Sequence, residues 1–140
     1  MCGWAIVCAR LQIVDRAGEL HELLAPFADR LTVSGALVSG SIPSTLGSLA
    51  TTLERYEQAE EHFAAAAEIE ERFGAPLFLA RTRASWARAL IARGRPEDLD
   101  RAQHMLEQAE EVAERLGGGF VTREVAECRA VLGALSASRD

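Results

Sequence analysis

Three histidines, three cysteines, paired glutamates and a glycine run are the residues of this chain whose types could do chemistry. His21, His62 and His104 recur at nearly even intervals, a pattern that invites a metal. Zinc sites on helices favour a second His or Cys four residues along, and none of the three has one. On successive helical hairpins they would stand a hairpin's width apart, too far to share an ion. They read as repeat positions, and no metal is expected. Gly117-Gly118-Gly119 is followed by Phe120-Val121, where a phosphate loop needs lysine and a hydroxyl. It reads as a helix breaker. The pairs Glu60-Glu61, Glu70-Glu71 and Glu110-Glu111 point about 100° apart on a helix and cannot converge on one bond. They read as a solvated face. Cys2, Cys8 and Cys128 are odd in number and form no Cys-x-x-Cys pair, so reduced, buried thiols in a cytoplasmic protein are expected. No GxSxG stretch is present. The residues thus predict no catalytic apparatus, no cofactor and no enzyme.

Composition narrows the partners. The 140 residues carry a formal net charge of −6, and all 15 basic residues are arginine. That balance argues against direct nucleic-acid binding, which relies on basic surface, and against anionic membranes. Apolar runs break well short of the ~18 residues a span needs. Without lysine no Schiff base can form, and without asparagine no N-glycosylation acceptor exists. The apolar start, Met1–Leu11, lacks a basic segment before it, so it is not read as a signal peptide.

The elements that must position these residues read as helices. Met1–Val14 is a first helix with Trp4, Ala5, Cys8 and Leu11 at helical spacing. A turn at Asp15-Arg16 leads into a helix over Ala17–Ala25, ended by Pro26. Leu31–Gly40 has a strand-like composition, but a lone strand has nothing to pair with, so it is read as a helix extension or irregular connector. Ser41 caps the next helix, with Pro43 in its first turn. A turn at Glu54-Arg55 precedes Arg55–Phe73, an amphipathic helix whose stripe is Tyr56, Ala59, Phe63, Ala66 and Phe73. Glu70 falls near that stripe and is expected to escape at its rim. Gly74, Gly94 and Gly117 close helices, and Pro76 and Pro96 open them. Phe120 to about Ser136 is a final helix, and 138–140 is expected to fray.

Laying the chain on itself exposes a repeat. Leu46, Gly47 and Ala50, then Tyr56, Ala59, Phe63 and Ala66, shift back by 42 onto Trp4, Ala5, Cys8, Val14, Ala17, His21 and Leu24. Shifts of 40 and 43 carry them forward onto Trp86, Ala87, Leu90, Leu99, Ala102, Leu106 and Ala109. His21 is the one poor match. This pattern, with Arg55-Tyr56, resembles the tetratricopeptide helix-turn-helix repeat, although its spacing exceeds that family's ~34 residues. The longer form, with Glu22–Arg30, Arg55–Phe63, Gly74–Arg83 and Ala92–Ala102, is similar to the C-terminal repeats of bacterial LuxR-type regulators and cyclase-linked signalling ATPases.

The expected fold is all-α: a right-handed stack of TPR-like hairpins in one domain over 1–140. Its units are roughly 1–40, 41–75 and 76–118, with a capping helix over 119–137. Repeat stacks normally have polar caps, and the apolar first helix has none. It is therefore read as covered by a partner, or as following other parts of a longer protein. The resemblance implies a protein-interaction scaffold of a bacterial regulator or signalling ATPase. It also implies a concave groove lined by first helices: Ile6 and Arg10, then Ser44, Ser48, Thr51 and Thr52, then Arg81, Arg88 and Ile91. Arginine forks suit carboxylates, so an acidic peptide segment is the expected ligand. Pairing of Arg81, Arg83 and Arg88 with the acidic stretch Glu57–Glu71 is the competing reading. The alternative function is homodimerisation through the first helix with an idle groove.

Overall fold

The computed structural model describes residues 2–34 and 37–137, with side chains for 4–30 and 40–137. Among these, the helices are α1 (Cys2–Arg10), α2 (Val14–Leu24), α3 (Ile42–Thr52), α4 (Tyr56–Arg72), α5 (Pro76–Arg93), α6 (Pro96–Leu116) and α7 (Gly119–Ala137). They fall into two compact units, Met1–Gly74 and Ala75–Asp140. The chain is predominantly helical, and no described helix is long and apolar enough to cross a membrane.

One segment departs from the helical expectation. The stretch read as a helix extension or connector holds two strands, β1 (Leu31–Ser34) and β2 (Leu37–Ser41), paired antiparallel. The partner that a lone strand lacks is the second half of the same segment. Thr32 pairs with Gly40 and Val33 with Val38, so Ser39 is an extra residue in β2, a bulge of the kind that bends a strand. Gly40 at φ 114° sits beside it, in backbone that favours glycine. The Ile42 N–H donates to the Arg30 carbonyl at 3.0 Å and closes the hairpin's open end.

The first unit repeats itself in its backbone. At the α1–α2 turn, Leu11 N–H donates to Val7 O, Ile13 N–H to Cys8 O and Ala17 N–H to Ile13 O, at 2.9, 3.0 and 3.1 Å. The same three bonds recur 42 residues later: Leu53 to Leu49, Arg55 to Ala50 and Ala59 to Arg55, at 3.0, 2.9 and 2.9 Å. Each turn pivots on a left-handed non-glycine residue, Gln12 at φ 55° and Glu54 at φ 58°. The first turn therefore lies at 11–13, ahead of the expected Asp15-Arg16. Gln12 supplies its own closure, donating from Nε2 to the Ala9 carbonyl at 3.2 Å. That is a local compensation for a conformation most side chains avoid.

Burial follows the same offset. Ala5, Cys8, Ala17, His21 and Leu24 are buried, as are Gly47, Ala50, Ala59, Phe63 and Ala66. Trp4, expected inward, is 70% exposed. It lies one helical step from the Ala5–Cys8 line, about 100° around the axis. Val14 and Phe73 are also exposed. Phe63 is fully buried against Gly47, where an added Cβ would stand 2.7 Å from the ring. Glycine is what lets the ring approach.

The second unit packs α5 against α6 and α7. Ala80, Ala84, Ala87 and Leu90 face Ala102, Leu106, Ala109 and Ala113, with Val121, Val125 and Cys128 completing the core. Trp86 and Leu99 are partly buried against it. Short alanine side chains let helix backbones come close, and each fully buried leucine contributes roughly 1.5–3 kcal/mol. Gly94 (φ 73°) and Gly117 (φ 77°) are left-handed caps that close α5 and α6. At the α5–α6 turn Arg93 forks onto Asp98 with two bonds of 2.7 Å, both side chains buried.

Candidate functional site

Two histidines of the first unit meet through their ring nitrogens. His21 lies on the inward line of α2, at the place Phe63 takes in α4. A polar group there must find a partner. It finds His62, one step round from Phe63 on α4. The two Nε2 atoms are 3.1 Å apart, and the ring centroids 5.2 Å apart at 61°. His21 is buried and His62 half-buried. As equivalent repeat positions, His21 and His62 would stand a hairpin apart. Under the 42-residue offset the equivalent of His21 is Phe63, so His62 is a neighbour on the flank. The available clue was the poor match itself: a histidine on an apolar line.

Burial is the main force holding both imidazoles below the ordinary histidine pKa of 6.5. Arg55 pushes His21 the same way, and His21 pushes His62; Glu22 and Glu61 pull weakly upward. Both rings are thus neutral at pH 7, with one donating and the other accepting. His104 lies on α6 in the other unit, exposed, 3.1 Å from Gln108 Nε2. Among the described residues, no group of three or more His, Cys, Asp or Glu is placed to hold a metal.

A second polar cluster lies nearby in sequence. Ser41, the cap of α3, donates from Oγ to Glu70 Oε1 at 2.7 Å. Both residues are 1% exposed. Glu70, expected at the rim of its helix, is instead buried, because β2 and Ser41 cover that part of α4. Its Oε2 has no hydrogen-bond partner. A buried acceptor left in that state costs on the order of 1–3 kcal/mol.

The expected groove residues divide between the two units. In the first, Arg10 is exposed at the end of α1. Ser48 and Thr51 donate back to the Ser44 and Gly47 carbonyls at 3.2 and 2.8 Å. Thr52, buried, donates to Ser48 O at 3.1 Å, and Ser44 is also buried. The Ser48, Thr51 and Thr52 hydroxyls turn their protons onto their own helix, and Thr52 also reaches the Ala9 carbonyl of α1 at 3.5 Å. In the second unit the Arg81 guanidinium lies 5.3 Å from the Phe78 ring centroid. Arg88 reaches Glu124 at 3.5 Å and Glu127 at 3.2 Å, both on α7. These acidic partners are on α7, outside Glu57–Glu71.

Beside Arg88, an open cavity of about 260 Å³ is lined by Ile91, Ala92, Cys128, Val131 and Leu135. Cys128 is free and buried, and burial raises its thiol pKa above the usual value. Such a thiol is unreactive. Cys8 is also free and buried, whereas the Cys2 side chain lies outside the described residues. No family model matches the chain, and no curated protein or solved structure matches it.

Proposed function

We propose that this chain is a non-enzymatic protein-interaction module whose docking surface is the outer face of α1. One observation carries the reading. The helix is apolar on two sides, and its own unit uses one. Ala5 and Cys8 are buried, while Trp4 is 70% and Val7 41% exposed on the helix, and Leu11, just past its end, is 66% exposed. Single exposed apolar residues are ordinary, but a contiguous apolar set marks an interaction surface. Tryptophan is the side chain most enriched where binding energy concentrates.

The repeat pattern and its family resemblance support the wider setting: the C-terminal scaffold part of a bacterial transcriptional regulator or signalling ATPase, acting in the cytoplasm. Docking through α1 is favoured over capture of an acidic peptide, because the Arg88 fork already holds two carboxylates. The same face also serves the second reading, in which two copies associate through α1.

Light scattering across a concentration series tests both. A dimer that Trp4→Glu and Leu11→Glu each convert to monomer supports self-association. A monomer throughout, with a native-cytosol partner lost on the same substitutions, supports a different protein. Partner capture unchanged by both substitutions overturns the surface. Cys8→Glu is unsuitable, since Cys8 is only 3% exposed and a charge there breaks the core.

A further inference from the structure

The geometry points to a divalent transition-metal site at His21 and His62, with the ion held between the two Nε2 atoms and water completing its coordination. The separation is the first argument. Two nitrogen–metal bonds of ~2.0–2.1 Å meeting at roughly 95–100° span the 3.1 Å between these atoms. Two side chains 41 residues apart already have the bite a shared ion requires. The rings face each other through their nitrogens, at 61° between planes. A tautomer change and a small turn of each ring present two lone pairs: the proton of the donating ring moves from Nε2 to Nδ1, and both nitrogens aim at an ion beside the line that joins them.

Access and charge are the second argument. His21 is buried and anchors the pair, while half-buried His62 leaves one side open to solvent. Glu22 and Glu61 add negative charge from the same two helices, and Arg55 opposes them. Neutral imidazole is the ligand form, and it is the form burial favours here. Imidazole nitrogen suits zinc, nickel and copper, with Cu²⁺ strongest in the usual order. With two protein ligands, the site would exchange its ion freely. The bound ion would tie α2 to α4 across α3, against which both pack, and would stabilise the folded unit in proportion to its occupancy.

The test uses the intact chain and Zn²⁺ alone. Side-chain ¹⁵N spectra at pH 7 are recorded through a Zn²⁺ titration, with calorimetry alongside. The expected result is one equivalent bound, with the Nε2 signals of His21 and His62 moving together and His104 unmoved. His21→Gln and His62→Gln should each lose more than the ~10–100-fold that removing a mere supporting hydrogen bond costs a metal site. His104→Gln should change nothing. The proposal is overturned by absence of binding at millimolar Zn²⁺, by uptake that leaves the two Nε2 signals in place, or by full affinity in either variant. If a variant loses its helical circular dichroism, the spectra of the unaltered chain decide.

Discussion

The two units solve the same problem differently. Both bury charged or titratable groups inside helical packing. In the second unit the buried groups meet strong partners: Asp98 receives the Arg93 fork, and Glu124 receives Ser85 at 3.0 Å as well as Arg88. One guanidinium nitrogen, Arg129 Nε, has no partner, but the same group binds Glu110 at 2.7 Å. In the first unit the partners are weaker. A neutral imidazole faces another, and Glu70 keeps one oxygen unsatisfied behind a serine. The first unit also carries the exposed face of α1. The comparison teaches where each unit's sequence serves stability and where it leaves chemistry open.

The largest expected effect breaks the well-paired side. Asp98→Ala leaves Arg93 buried without its carboxylate and should destabilise the second unit by about 3–5 kcal/mol, read by thermal unfolding. A stability loss under 1 kcal/mol would show the pair to be dispensable. Asp98 also makes a pH prediction. The Arg93 hydrogen bond holds its carboxyl below the ordinary value of 3.8. The pair's stabilisation is therefore complete above that value and is lost as pH falls through the depressed one. Asp98→Asn should flatten the acid limb of the unfolding curve for this unit.

Gly47→Ala comes next. Its Cβ would stand 2.7 Å from the Phe63 ring, and overpacking of this kind costs about 1–3 kcal/mol. Urea unfolding of the first unit should show it, and an unchanged midpoint would mean that Phe63 moves aside freely.

A smaller effect sharpens the contrast at the histidine pair. His21→Leu copies Leu106, the apolar residue at the matching place in α6. Its stability at pH 7 should stay within about 1 kcal/mol of the parent, because exchanging a buried polar group for an apolar one is near neutral when its partner can reach water. Its acid response should differ. The parent's lowered histidine pKa values mean that the unfolded chain binds protons first. Stability should therefore fall as pH drops below 6.5 toward the depressed values. His21→Leu should lose the share of that slope due to His21, with the share of His62 remaining, in a series of melts between pH 7 and 5.

The smallest expected stability change is Trp4→Glu, within about 0.5 kcal/mol because the side chain is exposed. A larger loss would show that Trp4 belongs to the core rather than to a docking face.

Much of the helical framework was legible from short stretches. Pro76 and Pro96 stand in the first turns of α5 and α6, Ser41 caps α3, and Gly74, Gly94 and Gly117 adopt positive φ at helix ends. The α1–α2 turn was missed because Gln12 takes a glycine's conformation without a glycine's signature. The β-hairpin was missed because its two strands share one segment, and pairing is not a property of either strand alone. Trp4 and Glu70 each stood on the side of a helix that pattern alone assigned wrongly. Which side is covered depends on what packs there.

Residue order and type determined where helices start and stop, because capping, proline and left-handed glycine act within a few neighbouring peptides. They also determined the 42-residue recurrence of small and apolar residues. Only the tertiary structure decided that His21 meets His62, that Glu70 goes under cover and that Trp4 does not. Those outcomes depend on side chains from separate elements arriving at one place, at distances of a few ångströms that no spacing along the chain encodes.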